Sequence, residues 1–223
     1  MERNELVLLR LSNQYLLHAG ERMRVLCAMN GFQAQFLSNA LYAMRLRSTA
    51  YDTAHAADSL VKSWTLRGTM HIFAEADLPL FLHTGCRYRS RDWTVPSFWN
   101  QRPDWALTPQ RQAYFSDLII DALAQGPMTR EALKARCRAA GMTQAEEGSI
   151  FHPWGGGIRE LCERGFLCGT VSEEKAFRLC PAFIPMEEQD ALLEQTRRYF
   201  TNYGPASVRD AAYYFGTSQA EIK

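Results

Sequence analysis

The sequence predicts a mainly helical α+β protein made of two or three small domains. Its 223 residues, 47% of them apolar, are enough to bury a sizeable core, since domains run to about 100–200 residues. Most of the chain places apolar residues at the helical period, and only a few short segments alternate as strands do. Apolar runs stay below the ~18 residues that a membrane span needs. The opening residues 1–5 lack the features of a secretory signal, so we expect a soluble cytoplasmic protein.

The first hundred residues predict several helices and one β segment. Helices are expected over Leu6–Leu17, Met23–Met29, Phe32–Arg47 and His55–Ser63. Residues 64–73 alternate between apolar and polar side chains, but Gly68 interrupts them, so the segment is either one strand or a hairpin. A further helix is predicted from Ala76 to Leu82. Residues 84–108 are irregular, and their three tryptophans predict packing against the core, namely Trp93, Trp99 and Trp105.

The second half has the order of elements found in a winged helix. Helices are predicted over Pro109–Ala124, Met128–Ala140 and Ile150–Arg164, the second capped by Thr129, before two short strands at 165–171 and 176–180. Three helices and a hairpin within about 70 residues are the plan of a winged helix. After a helix at 187–203, residues 204–212 repeat the pattern of residues 126–133, beginning Gly-Pro in both cases. This internal similarity indicates tandem copies.

We therefore expect tandem winged-helix units, each a helix-turn-helix closed by a β-hairpin wing. Residues 1–108 form the first unit, enlarged by inserts, and residues 109–183 form the second. Residues 184–223 begin a third unit that stops before its recognition helix and wing. The chain is accordingly expected to be the N-terminal part of a longer protein.

Charge and cysteine usage narrow the classes of partner. The net charge is only +1, yet residues 1–111 carry a net of +4, and 21 of the 25 basic residues are arginine. The planar guanidinium suits phosphates, so the sequence allows a local basic face for nucleic acid and excludes a uniformly basic coat. None of the six cysteines forms a C-x-x-C, and the five histidines do not fall at zinc-ligand spacing beside them. We therefore predict reduced thiols, no metal and no cofactor.

Three stretches together resemble one family. They are residues 9–17 (Leu-Arg-Leu-Ser-Asn-Gln-Tyr-Leu-Leu), residues 31–35 (Gly-Phe-Gln-Ala-Gln), and the string Val61-x-x-Trp64-x-x-Arg67-Gly68-Thr69-x-His71. With the two Gly-Pro-led units, they resemble the winged-helix DNA glycosylases of the AlkZ/YcaQ type. The resemblance implies three tandem winged helices followed by a small β-barrel, and a catalytic Gln-x-Gln or Gln-x-Asp motif. The matching positions are Gln33 and Gln35, which would hold the attacking water at the glycosidic bond of an alkylated purine, in some members within crosslinked DNA.

The chemistry of an amide limits what such a pair can do. Glutamine has no proton to exchange at neutral pH, so it cannot act as a general base. It can position a water, which suffices when the leaving group is an N7-alkylated purine that already carries a positive charge. On an ideal helix, two residues apart do not share a face. Gln33 and Gln35 can therefore reach one site only in the first turn of the predicted helix or just before it. The alternative to a catalytic role is a structural one, in which a glutamine near the helix start is simply hydrogen-bonded.

Further side chains are candidates for contact with DNA. Phosphate or base contacts are expected from Arg45, Arg47, Arg67, Thr69, His71, Arg87, Arg89 and Arg91. The alternative for any one of these residues is an ordinary solvated side chain. For Arg67 and His71, a further alternative is that they hold the glutamine segment in place. Double-stranded DNA is the expected partner of a monomeric protein located with the bacterial nucleoid in the cytoplasm. The alternatives are a non-enzymatic winged-helix DNA-binding protein or transcriptional regulator with a structural glutamine pair, and a protein-interaction module.

Overall fold

The computed structural model describes residues 2–223, which divide into two compact units. The first unit combines the described residues up to Thr84 with Phe183–Lys223, and the second is Gly85–Ala182. The first unit is discontinuous in sequence because the chain leaves it and later returns. Within the described part of the chain, no helix has both the length and the apolarity needed to cross a membrane.

The helices and strands follow one another along the chain. Before residue 85 lie α1 (Arg3–Asn13), α2 (Arg22–Ala28), β1 (Phe32–Gln33), α3 (Leu37–Arg47), β2 (Leu60–Trp64), β3 (Met70–Ala74) and α4 (Leu78–Phe81). The second unit contains α5 (Pro109–Leu123), β4 (Met128–Thr129), α6 (Arg130–Ala139), α7 (Gln144–Ile150), α8 (Gly156–Glu163), β5 (Leu167–Gly169) and β6 (Ala176–Leu179). The last segment contains α9 (Glu188–Tyr203), α10 (Val208–Phe215) and α11 (Gln219–Ile222).

Each unit pairs three antiparallel strands in the same order. In the first unit β3 is central and pairs with both β1 and β2. In the second unit β6 is central and pairs with both β4 and β5. In both units a two-residue strand precedes a hairpin and pairs with the hairpin's second strand. The mainly helical α+β class that the sequence predicts is confirmed.

The segment that carries the two glutamines begins as a short strand and is not helical. The predicted helix Phe32–Arg47 begins only at Leu37. Phe32 and Gln33 pair with β3, and the Ala34 amide donates to the Met70 carbonyl at 2.7 Å. These cross-strand bonds override the local helical period, as tertiary context commonly does.

The predicted helix His55–Ser63 is wrong, whereas the hairpin alternative for the following residues is right. The residues from 60 to 64 form β2, and a tight turn joins it to β3. In that turn Arg67 and Gly68 have φ of 54° and 64°, and the Thr69 amide donates to the Leu66 carbonyl at 3.1 Å. Positive φ at both central positions is the type I′ geometry that matches the twist of paired strands.

In the second unit the predicted hairpin is present, helices α5, α6 and α8 lie within the predicted ranges, and α7 was missed except for its last residue. Thr129 caps α6 as expected, its hydroxyl accepting the Ala132 amide hydrogen at 3.2 Å. The predicted helix Ile150–Arg164 is instead the end of α7 followed by α8. Gly155 and Gly156 separate them with φ of 139° and 61°, values that side-chain-bearing residues rarely adopt.

The tryptophan-rich stretch packs inward as predicted. Trp93 and Trp99 are buried and Trp105 is half-buried. The Arg164 guanidinium lies 4.3 Å from the centroid of the Trp93 ring and pairs with Glu160 at 2.6 Å. A buried cation stacked on an indole ring fixes an otherwise irregular segment.

A substitution at Gly31 tests whether the backbone before β1 approaches β3 closely. Its φ is 76°, and a Cβ there would lie 2.5 Å from the Ile72 carbonyl oxygen. We expect Gly31→Ala to lower the free energy of unfolding in urea by about 2–4 kcal/mol, because a backbone clash adds to conformational strain. Gly216→Ala is the matched control, since its φ is 69° but the nearest atom is the flexible Arg67 side chain at 3.4 Å. Strain alone costs about 1–2 kcal/mol there, and equal losses in the two variants would contradict the close approach.

Candidate active site and DNA contacts

Gln33 and Gln35 lie between the start of β1 and α3, and both are exposed. Gln33 ends β1, Ala34 between them is fully buried, and Gln35 lies in the bend that precedes α3. Because Ala34 alone of the three is buried, both glutamines face solvent. The pair thus lies just before the helix, which is the arrangement that allows both amides to reach one site.

His71 lies directly opposite Gln33 in the strand register and is 4% exposed. On its other side it pairs with Ser63 of β2, and directly opposite residues share a face of paired strands. The ring Nδ1 lies 3.0 Å from the Thr69 carbonyl oxygen, so Nδ1 carries the hydrogen and Nε2 is the acceptor. Burial lowers the pKa of His71 to about 4. The hydrogen bond to Thr69 raises the pKa by a smaller amount, and the charge of Arg67 lowers it further. A buried, neutral imidazole favours a role behind Gln33 over direct contact with DNA.

Arg47 packs beneath the glutamine strand while Arg45 is exposed. The Arg47 Cζ lies 5.5 Å from the centroid of the Phe32 ring, and one terminal nitrogen donates to the Ala43 carbonyl at 2.9 Å. Its Nε is buried without a hydrogen-bond partner among residues 2–223, and desolvation lowers the pKa of the guanidinium. Since Phe32 and Gln33 point to opposite sides of β1, Arg47 lies on the side away from the glutamine amides.

Arg67 and Thr69 belong to the hairpin turn. In one straight strand they would share a face with His71, but in the hairpin they do not. The Thr69 hydroxyl donates to the Leu66 carbonyl at 3.1 Å and closes the turn. Arg67 is exposed, with its Cζ 5.4 Å from the centroid of the Tyr214 ring. Thr69 is therefore engaged in the turn, whereas Arg67 presents its charge to solvent.

Arg87, Arg89 and Arg91 belong to the second unit, whereas Gln33 and Gln35 belong to the first. The Arg87 guanidinium donates to the Pro96 carbonyl, and Arg91 pairs with Asp117 at 2.7 Å. Arg89 lies over the neighbouring Tyr88 ring at 5.4 Å. All three are exposed, but the charge of Arg91 is already partly compensated.

Helix α9 holds the corner that leads into β1, a contribution that sequence reasoning missed. Three donors fix residues 27–30: an Arg198 nitrogen to the Cys27 carbonyl at 2.9 Å, the Tyr203 hydroxyl to the Met29 carbonyl at 3.1 Å, and the Asn30 amide to the Gln195 carbonyl at 3.0 Å. These partners are about 170 residues apart, and no local pattern links them. The sequence feature that could have indicated these contacts is the presence of polar residues, such as Gln195 and Asn202, among the buried positions of α9.

The donor sets needed for a resident metal do not occur in the described part of the chain. No three histidine, cysteine or acidic side chains of residues 2–223 come together as a metal-binding group. The six cysteines are free thiols.

The burial of His71 predicts a pH dependence of stability. Unfolded histidine takes up a proton near pH 6.5 and folded His71 only near pH 4, so stability rises with pH across that window and is lost as the pH falls through it. We expect His71→Gln to flatten the slope of unfolding free energy against pH by up to about 1.4 kcal/mol per pH unit. His83, whose pKa burial also lowers, is present in both proteins and cancels. Urea unfolding from pH 4 to 7 measures the slope, with exposed His18→Gln as control, and an unchanged slope would contradict the assignment.

The two acidic partners of Arg198 predict unequal costs of neutralisation. Arg198 holds Asp77 with two bonds of 2.7 and 2.9 Å and Glu194 with one of 2.7 Å, and the side-chain exposures are 8% and 29% respectively. We expect Asp77→Asn to cost about 3 kcal/mol because it leaves a buried cation undercompensated. Glu194→Gln should cost less than about 1 kcal/mol, as for surface pairs. Chemical denaturation compares them, and a larger loss for Glu194→Gln would refute the role of Asp77.

Comparison with known proteins identifies a family and a curated relative. A family model described as DNA glycosylase AlkZ-like matches residues 26–223. The interstrand DNA cross-link repair glycosylase of Streptomyces sahachiroi is 29% identical over 195 residues, which cover 80% of this chain and 50% of the relative. This chain therefore spans about half the length of the curated relative it matches.

A solved structure shows the same fold. The Streptomyces sahachiroi DNA glycosylase AlkZ matches all of this chain and 63% of its own with a TM-score of 0.74 at 24% identity. The resemblance drawn from the Gln-x-Gln segment and the Trp64–His71 string is thereby confirmed. The family model covers both units from residue 26 onward, and the chain belongs to the AlkZ-like DNA glycosylase family.

Proposed function

We propose that the protein is a DNA repair glycosylase that hydrolyses the N-glycosidic bond of cationic, N7-alkylated purines in double-stranded DNA. The observation that carries the proposal is the non-helical Gln33-Ala34-Gln35 segment, with two exposed glutamines on either side of a buried alanine. Gln33 and Gln35 position the attacking water, and the product is an abasic site. Membership of the AlkZ-like family supports the same reaction.

Neutral groups suit a cationic lesion. An amide oxygen accepts a hydrogen bond from water and an amide nitrogen donates to a sugar oxygen, so a pair of glutamines orients water without exchanging protons. His71 behind Gln33 stays neutral, because burial lowers its pKa to about 4. A charged imidazole there would repel the positive purine. The site therefore contributes orientation, and the charged base supplies the leaving group.

Exposure of the two amides supports action on bulky adducts. The usual base-excision enzyme extrudes its target into a snug pocket. Because Gln33 and Gln35 both face solvent, a crosslinked purine can reach them without entering an enclosed pocket. The relative named as an interstrand DNA cross-link repair glycosylase supports crosslinks as a second substrate of this chain.

The order of elements supports tandem winged-helix units as the DNA-binding scaffold. The second unit runs α5, β4, α6, α7, α8, β5, β6, with its first strand beside the last strand of the hairpin. The first unit repeats that strand order, and α9–α11 would begin a third copy. We propose the boundaries 1–108, 109–183 and 184–223 for these copies, and a monomer that works at the nucleoid in the cytoplasm.

Release of base from defined DNA tests the proposal. The protein is incubated with duplex DNA that carries one N7-methylguanine, or one interstrand crosslink, and alkali-labile abasic sites are counted above the spontaneous background. We expect Gln33→Ala and Gln35→Ala each to lower the single-turnover rate by about 100-fold or more, the size of effect seen when one stabilising donor is removed. Gln189→Ala, at an exposed position on α9, controls for loss of an amide and should not change the rate.

The outcomes separate the alternatives. A wild-type protein that releases neither lesion would refute the glycosylase and leave a non-enzymatic DNA-binding protein. Release that neither glutamine variant alters would keep the activity and refute the site.

A further inference from the structure

A second polar site lies at the tip of the β2–β3 hairpin in the first unit. A cleft of about 360 Å³ is lined there by Arg67, Tyr199, Arg209, Asp210, Tyr213 and Tyr214. Its volume falls in the range of about 300–1,000 Å³ that is typical of small-ligand sites. The lining joins guanidinium groups and aromatic rings, which together suit an anionic, planar ligand.

The cleft carries a net positive charge. In the described part of the chain, neither Arg67 nor Arg209 takes part in a salt bridge. Asp210 is the carboxylate in the lining, and one of its oxygens is bound by the amide and the hydroxyl of Ser207 at 2.8 Å each, as the cap of α10. The hydrogen bonds from Ser207 lower the pKa of Asp210 most, and the charges of Arg10 and Arg209 lower it further. The lining thus sets two guanidiniums against one carboxylate, and a net positive charge remains for an anion such as a phosphodiester.

An exposed ring stands beside these charges. Tyr213 is 83% exposed, although large aromatic side chains are usually covered. In the same lining, the Tyr199 and Tyr214 rings pack at 4.6 Å between centroids, and the Arg67 guanidinium lies over Tyr214. Exposed aromatic rings next to cations are how proteins hold unpaired nucleotides, by stacking the base and neutralising the phosphate.

The backbone at Arg67 gives an independent indication that its side chain is used. Arg67 occupies the left-handed region with φ 54°, a turn position that favours Asn, Asp or Gly. Strained conformations of this kind cluster at ligand-binding sites. The turn is less stable with arginine than with asparagine, and its guanidinium points to the cleft.

We propose that this cleft binds an unpaired nucleotide of the DNA, with its phosphate between Arg67 and Arg209 and its base against Tyr213. The proposal rests on the proposed function, because an enzyme that acts on a base disrupts pairing around its target and leaves unpaired nucleotides there. The cleft is separate from the Gln33–Gln35 segment and binds DNA without taking part in the reaction.

Equilibrium binding to two labelled duplexes tests the proposal, one fully paired and one with a single bulged thymidine. We expect Tyr213→Ala to weaken binding of the bulged duplex by about tenfold, the effect of losing one stacked base, and to change binding of the paired duplex less than about twofold. Arg209→Ala should weaken binding and reduce the slope of log K against log salt by about 0.7–0.9, as for one lost phosphate contact. Arg24→Ala, an exposed arginine on α2, is the control and should change neither value. Equal effects of Tyr213→Ala on both duplexes, or none, would overturn the proposal.

Arg67→Asn separates binding from folding. Asparagine suits the left-handed turn position, so the variant should unfold at the same or a higher urea concentration while its affinity for the bulged duplex falls about tenfold, as for one lost phosphate contact. Full affinity in this variant would also overturn the proposal. Binding is measured without turnover, so the two proposals can fail separately. If the wild-type protein releases no base but Tyr213→Ala still weakens binding of the bulged duplex alone, only the glycosylase is refuted. If base release is normal but Tyr213→Ala affects both duplexes equally, only the nucleotide cleft is refuted.

Discussion

The first unit depends on the contacts that α9 makes with residues 27–30. This helix is about 170 residues away along the chain, yet it donates two hydrogen bonds to residues 27–30 and accepts one from Asn30. Arg198 anchors the helix by pairing with buried Asp77. A buried ion pair is a weak source of net stability but a strong constraint on geometry, because separating its partners leaves a charge uncompensated. The position of the glutamine strand is therefore set by residues that no inspection of its own neighbourhood would identify.

Charge is distributed over this unit in a way that suits the proposed substrate. The groups on the side of the glutamine amides are neutral: two amides in solvent and a buried imidazole that burial keeps unprotonated, whereas Arg47 lies on the other side of the strand. Arg67 and Arg209, which form no salt bridge among the described residues, lie at the hairpin tip. A cationic purine is repelled by nearby positive charge, whereas the phosphates beside it are attracted. Placing cations at the periphery satisfies both requirements.

The sequence predicted the helices, the hairpins and the family better than it predicted the site's geometry. Long periodic helices such as α5 and α9 were found because their burial pattern is local. The predicted helix at Phe32 was wrong over its first turn because that residue and Gln33 satisfy their backbone groups across strands, with partners about 40 residues away. The predicted helix at His55 failed for a similar reason, since β2 pairs with β3 and its five residues are too few for their periodicity to assign them. The aromatic cleft was missed because Arg67 and Tyr213 are distant in sequence.

The most specific string of the sequence now has a physical explanation at each position. Trp64 ends β2, opposite Met70. Arg67 and Gly68 provide the two left-handed residues of the turn, and the Thr69 hydroxyl closes it. His71 then lies opposite Gln33. One hairpin thus supports the glutamine strand with its second strand and presents a guanidinium at its tip. The two ends of this short segment therefore serve different purposes, which accounts for the different chemistry of its residues.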